Sequence, residues 1–303
     1  MQSKTAVHPF KQLKKEVPWY LFLAPTVLAM LMFTFYPLSR TFILSLYYSR
    51  NGQLQNFVGA LNYATILSDE KFWNALYNTV YMGFFTILIN IPVAFTLASM
   101  INSLMKGQNL FRVLYFLPNV TSIVAVTLIF KFIFYPTEAG IVNYILSFLG
   151  IGNIGWLTDP AYSKWVVIVM GLWHSVGYNI IIFIAGLQTI PQELYESAVV
   201  DGATRLQKWR NITIPLMRPI FIFMLIMGTI SAFERFSDVY ALGGASGSPL
   251  RSLQTIVAYF YEYGMLAGQY GMGAAASVII FALILIATII NLYVTSRKDR
   301  GID

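Results

Sequence analysis

The sequence predicts an all-α integral membrane protein of six transmembrane helices, and three observations carry that prediction. Hydrophobic residues make up 57% of the 303-residue chain and charged residues only 11%. A soluble globular chain holds roughly 25% charged residues, so here too little polar surface exists to cover the molecule and part of it must face lipid. Second, six runs free of Asp, Glu, Lys and Arg lie between Glu16 and Arg40, Lys71 and Lys106, Arg112 and Lys131, Lys164 and Glu193, Arg218 and Glu234, and Glu262 and Arg297. A bilayer core takes about 20 apolar residues as helix. Third, placing the amino terminus inside puts 13 of the 20 Lys and Arg on the inner face with six acids, which leaves that face the whole formal charge of +7. The basic balance reports topology. Its charges sit in tails and loops that bound apolar helices, not in a groove interleaved with aromatics, so no nucleic-acid partner is expected.

The elements follow in chain order. Residues 1–17 form a basic inner tail, whose Lys11 to Lys15 stretch suits an orientation signal and lipid-surface contact. The first helix, 18–46, is too long for a signal-peptide core and no small-residue cleavage site follows it, so it is expected to remain as an anchor. The second spans 74–102, a short inner turn covers 103–110, and the third spans 111–134. The outer segments 47–73, 135–163 and 236–270 are longer than that turn. Within the second of them the spacing of Gly140 to Leu146 predicts a short surface helix. Within the third, Gly243 to Pro249 reads as a flexible loop and Thr255 to Met265 as an amphipathic run. The fourth helix spans 164–189. The fifth, 212–235, contains only 15 consecutive uncharged residues and crosses the membrane if Arg218 snorkels to the inner interface. The sixth spans 271–296, where Gly271, Gly273 and Ser277 allow close helix approach, and 297–303 form a second inner tail. No internal repeat of the kind found in many secondary transporters is present.

One inner loop, 190–219, is both long and patterned. Pro191 suits the first position of a helix, Glu193 and Glu196 suit the positive end of its dipole, and Leu194, Ala198 and Val199 form an apolar stripe. Gly202 tolerates a sharp turn, Asp201 is placed to cap the segment that follows, and Arg205, Lys208 and Arg210 lie on that segment's polar side. Pro215 and Pro219 mark entry into the fifth helix. The physical reading is a small amphipathic helix–turn–helix projecting from the membrane, suited to docking in another protein's groove.

Glu196-Ser197-Ala198, three residues, Gly202, nine residues and Ile212-Thr213-Ile214-Pro215 resemble the EAA loop of binding-protein-dependent ABC importer permeases, written E-A-A-x3-G-x9-I-x-L-P. Ser197 and Ile214 depart mildly from it. The flanks from Ala185 to Tyr195, Asp201-Gly202-Ala203, Gly140 to Asn143 before Trp156, and Tyr240 with Gly243-Gly244 are similar to the carbohydrate subgroup, the maltose-type and glycerol-phosphate-type permeases. The resemblance implies a type I ABC importer transmembrane domain over 18–296, in a bacterial or archaeal cell (inner) membrane, multi-pass, with both termini cytoplasmic. It implies a second permease subunit, commonly a different chain, a dimer of separate ATPase subunits, an extracytoplasmic solute-binding protein and a carbohydrate substrate. The loop 190–215 is the coupling element in that family, which assigns coupling to Glu193, Glu196, Ser197, Ala198, Asp201, Gly202, Ala203, Arg205 and Pro215. The chain has no Gly-x-x-x-x-Gly-Lys-Ser/Thr phosphate loop, so ATP is expected on the partner and no cofactor on this chain.

Within the spans, Trp173, His174, Ser175, Tyr178 and Asn179 form a polar and aromatic cluster on the fourth helix. Such groups face the bundle interior or a water-filled cavity. Trp173, Tyr178 and Asn179 suit sugar contacts, and Asn119 and Asn90, beside Pro118 and Pro92, suit a path lined at kinks. The alternative for Trp173, Tyr178 and Asn179 is that they only bridge neighbouring helices, and for Asn119 and Asn90 that they mark simple kinks. His174 reads as an interhelical donor, since its helix holds no carboxylate, and Glu234 with Arg235 reads either as a gate contact or as a local ion pair. A stand-alone channel or secondary transporter fits poorly, because no intramembrane carboxylate is available for ion coupling. Nor does an intramembrane enzyme fit: the chain has no Cys, two His, no HExxH and no paired mid-membrane carboxylates. An anionic or polyol solute such as glycerol phosphate is the alternative within the class. An anion needs a cation in the path, and beyond Lys131 few candidates exist, which favours neutral sugar.

Overall fold

The computed structural model describes residues 9–50, 53–103 and 107–296. The outer part of the first expected tail, 1–8, the whole of the second, 297–303, residues 104–106 of the inner turn and residues 51–52 lie outside the described residues. Helix α1, Pro9–Met30, runs through a π-helical turn at Leu31–Phe35 into α2, Tyr36–Leu44. The turn is closed by the Tyr36 amide bonding the Leu31 carbonyl, five residues back. No residue in the most apolar stretch of this run is buried within the chain. Its far end joins the bundle where Phe42 meets Phe281 edge to face at 6.4 Å.

The next segment departs from an all-helical pattern. Strands β1, Tyr47–Arg50, and β2, Gln53–Phe57, form an antiparallel hairpin that pairs Tyr47 with Phe57 and Arg50 with Gln53. Helix α3, Leu61–Leu67, is fastened to it by buried Asn62, whose amide donates to the carbonyls of Ser45 (2.8 Å) and Tyr47 (3.0 Å).

Helix α4, Glu70–Asn102, starts four residues before the expected position because Asp69 caps it, accepting from the Lys71 amide at 2.9 Å. The third expected span is two helices, α5, Gln108–Val120, and α6, Ile123–Ile133, bent by 91°. Pro118 supplies no amide to its own turn, and Thr121 and Ser122 take extended backbone at ψ 139° and 126°, which ends α5 one turn later. Helix α7, Ile141–Ser147, is the short surface helix expected. Buried Asn143 holds it, donating to the carbonyls of Tyr135 and Ile154 and accepting from the Ile154 amide and the Trp156 indole. Helix α8, Pro160–Leu187, is capped by Asp159.

The inner loop forms α9, Gln192–Val200, then α10, Arg205–Lys208, a π-helical turn at Trp209–Thr213 and a single turn α11, Ile214–Leu216. Helix α12, Arg218–Phe233, and α13, Ser237–Gly243, together make an apolar helical run of 26 residues. The fifth span therefore gains its length at the outer end instead of at Ile212. Helix α14, Ile256–Phe260, continues as a π-helical segment Tyr261–Leu266, where the amphipathic run was expected, and α15 is Tyr270–Ser296. Among the described residues five helical runs are long and apolar enough to cross a membrane, six if the bent α5–α6 pair counts as one span.

The core is built on α4 against α8. At one end Ala94, Phe95 and Ala98 pack on Ile180, Phe183, Ile184 and Met217. At the other, Phe72 and Ala75 pack on Ile256, Tyr259, Ala275 and Ala276. Gly271 and Gly273 do permit close approach, though to other elements than a neighbouring span. A Cβ at Gly271 would stand 2.1 Å from the Tyr47 carbonyl oxygen, and one at Gly273 2.6 Å from Gly264 Cα.

A clasp covers the end of the bundle at which α4 begins. Arg251 grips Glu262 with two bonds of 2.7 and 2.9 Å, and its own carbonyl accepts from Asn74 and Asn78. The hydrogen bonds from the Arg251 guanidinium hold the Glu262 carboxyl below the usual carboxylate range. Tyr259 donates to Asp69 at 2.9 Å, and burial followed by that bond pushes its hydroxyl up, so it stays a donor.

Candidate functional site

Two places concentrate the residues singled out in the sequence. The first is the projecting α9–α10 element. The turn after α9 closes with Ala203 donating to the Ala198 carbonyl (2.8 Å) and Gly202 to that of Val199 (3.0 Å), with Gly202 at φ +77°. This is a Schellman C-terminus, in which the left-handed residue is normally glycine. Two local expectations need correction. Pro191 precedes the helix as its N-cap instead of opening it. Asp201 terminates α9 and does not cap the next segment; Thr204 does, in a reciprocal capping box with Gln207.

The base of this element is fixed and its tip is free. Trp209 stacks on Phe95 of α4 at 5.5 Å, and the Tyr195 hydroxyl lies 2.9 Å from that of Thr213. By contrast Val199, Val200 and Leu206 are exposed at 58%, 88% and 71%. Glu193, Glu196, Ser197, Asp201, Gly202, Arg205 and Pro215 are exposed, and Ala198 and Ala203 half-buried. Trp209, Tyr195 and Thr204 were not singled out in the sequence, and only the last had a local signal, the Thr-x-x-Gln spacing.

The second place is a cavity of about 490 Å³ between α4, α5, α8 and α12. At its centre Asn90 bridges α4 to α8, donating to Ser175 Oγ (2.8 Å) and accepting from Asn179 Nδ2 (2.6 Å). His174, Tyr178 and Asn119 complete the polar lining expected from the sequence. His174 Nε2 lies 3.3 Å from the Thr121 carbonyl, at the break between α5 and α6, as an interhelical contact. The amides of Asn90 and Asn179 thus bridge α4 and α8 and at the same time face the cavity.

Two sequence candidates fall elsewhere. Trp173 is not among the lining residues; its ring centroid lies 5.9 Å from that of Phe130, on the side of α8 that packs on α6. Glu234 is exposed beyond the end of α12 and does not line the cavity either. Its neighbour Arg235 pairs with Asp238 at 2.7 Å instead, and both of those residues, with Thr86, do line it. Lys131, in the last turn of α6, does not. The reason is geometric: α12 ends at Phe233 and α13 opens at Ser237, and this shallow elbow, a break without a sharp bend in the run, sets Arg235 and Asp238 side by side at the cavity.

This cavity offers hydrogen-bonding amides and hydroxyls and one ion pair whose charges cancel. Over residues 64–300 the chain matches the family model described as the inner membrane component of binding-protein-dependent transport systems. It is 35% identical to the arabinooligosaccharides transport system permease protein AraP of Bacillus subtilis (strain 168), over 97% of this chain and 97% of that protein. It is 33% identical to the lactose transport system permease protein LacF of Rhizobium radiobacter, over 93% and 95%. To the sn-glycerol-3-phosphate transport system permease protein UgpA of Agrobacterium fabrum (strain C58 / ATCC 33970) it is 31% identical, over 89% and 91%. Among solved structures, a chain of a bacterial ABC transporter involved in the import of the acidic polysaccharide alginate superposes with a TM-score of 0.83 at 26% identity, covering 95% of this chain and 98% of that one. This chain therefore belongs to the family of inner membrane components of binding-protein-dependent transport systems.

Proposed function

We propose that this chain is one of two permease subunits of an ATP-driven, binding-protein-dependent importer, that it forms half of the membrane path, and that its solute is a neutral mono- or oligosaccharide. The projecting α9–α10 element carries the reading. Apolar side chains held in water at its tip, on a base anchored through Trp209 and Tyr195, gain stability only when another protein covers them. That partner is a separate ATPase subunit, present twice, and the loop 190–215 passes its closure to the helices. The second permease is a different chain. A solute-binding protein delivers solute from the opposite face, and both termini lie on the ATPase side, as the Lys and Arg distribution supports.

The cavity supports a neutral solute. Its cation, Arg235, is already paired with Asp238, and the other lining groups are amides, hydroxyls, an imidazole and apolar side chains. A phosphate or uronate would leave its charge unanswered there, which disfavours the glycerol-phosphate alternative.

The test is recovery of the solubilised chain from its native membrane, with and without residues 192–210. Co-recovery of an ATPase and a second permease that depends on the loop is the expected result. Recovery of the chain alone in both cases would refute the reading and make a self-contained channel the leading idea.

A further inference from the structure

We infer that Arg235 is the outer latch of the cavity, a bar that closes this half of the path and moves with the α12–α13 elbow when the path opens. The inference rests on the path and the orientation proposed above. Its first support is position. From the elbow the guanidinium crosses to α8, where Nη2 donates to the Val167 carbonyl at 2.9 Å, and Nη1 reaches within 3.5 Å of the Thr86 hydroxyl on α4. One side chain thus ties three elements together. Along α8, Val167 and Gly171 precede the central Ser175 by about 12 and 6 Å, at 1.5 Å per residue. The bar therefore lies between the polar centre and the outer surface.

The second support is a slot cut for it. A Cβ at Gly171 would stand 2.4 Å from Arg235 Nη2, so any other residue there would displace the guanidinium. The third is how the charge is cancelled. Arg235 and Asp238, 12% and 8% exposed, pair within one elbow. A latch that had to separate two buried charges on opening would be held shut, because an uncompensated buried charge is strongly unfavourable. Here, drawing the elbow away from α8 and α4 breaks no charge pair: beside the packing of Val239 on Met82, Val167 and Ile168, the guanidinium gives up bonds to a neutral carbonyl and a hydroxyl. The ion pair travels intact as a neutral unit. Thr255 Oγ1 also donates to the Arg235 carbonyl at 2.7 Å, which joins the elbow to the Arg251–Glu262 clasp.

The chain has no Cys, so Met227→Cys supplies a single thiol in it. Met227 lines the cavity on α12, eight residues inward of Arg235, about 12 Å along a helix. In right-side-out vesicles holding the assembled complex without nucleotide, a membrane-impermeant maleimide added outside should label this thiol slowly. Adding Arg235→Gln or Gly171→Ala should raise the rate about tenfold, the effect of losing a hydrogen bond from a charged group. Gly171→Ala keeps both charges in the chain and only fills the slot, so agreement of the two variants separates a latch from a folding defect. If Arg235→Gln fails to assemble, Gly171→Ala decides alone. Unchanged outside labelling in the variants that assemble, or acceleration only from the inner face of inverted vesicles, overturns the inference. Labelling does not depend on the solute. A failure of neutral-sugar uptake would therefore sink the carbohydrate reading and leave the latch standing.

Discussion

At Gly202 the backbone stands at φ +77° and nothing lies within 4 Å of where a Cβ would sit. A side chain there meets no clash and costs only the left-handed backbone, about 1–2 kcal/mol. Gly202→Asp is therefore expected to leave the complex assembled while swinging α10 relative to α9, and so to abolish uptake. Solute uptake measured beside recovery of the ATPase partner checks this; full uptake by the variant would remove the coupling role. The need for a glycine's freedom at this turn was legible in the sequence, since Gly202 follows the end of an amphipathic stripe. The capping role given to Asp201 was not correct, because the Schellman closure draws that residue into the end of α9 and leaves the cap to Thr204. Likewise the partner of Arg235 was misread. Glu234 is adjacent in sequence but exposed, whereas Asp238 is brought under the guanidinium by the elbow.

At the scale of elements, the contact between α5 and α8 is decided by one missing side chain. A Cβ at Gly177 would stand 1.7 Å from the Tyr115 carbonyl oxygen, an atom of the α5 backbone that cannot rotate away. Gly177→Ala must push the two helices apart, and overpacking of this kind costs about 1–3 kcal/mol, here toward the upper end. The expected outcome is a lower Tm of the solubilised complex; an unchanged Tm would mean that the helices do not approach this closely. The spans themselves were legible because charge-free runs and lipid thickness specify them with no knowledge of neighbours. Their ends were less so. The caps Asp69 and Asp159 each extend a helix beyond its apolar run. The β1–β2 hairpin went unread although Asn51-Gly52, a strong hairpin dipeptide, stands between its strands. Pro118 marked a kink, but its 91° size depends on the extended Thr121 and Ser122 and on what packs beside them.

Across the whole molecule, the one charged pair lining the cavity, Arg235 with Asp238, cancels itself, and the proposed preference for a neutral solute rests on that balance. Binding of a labelled neutral oligosaccharide to the solubilised complex should resist an excess of an anionic sugar. In Asp238→Asn, where the guanidinium loses its carboxylate, the anion should become an effective competitor. Equal competition in both proteins would mean that the ion pair does not govern selectivity. By itself the sequence determined the membrane class, the number of spans, the bias of basic residues to one face and the patterned inner loop. These depend on composition and on period along a single helix, where each residue's solvent is either lipid or water. Only the tertiary structure decided which polar residues share the cavity, that Trp173 turns toward Phe130, that Trp209 anchors the inner element on Phe95, and that Arg235 lines the cavity paired with Asp238. Those relations join residues tens of positions apart, and packing between helices, not pattern within one, sets which side chains meet.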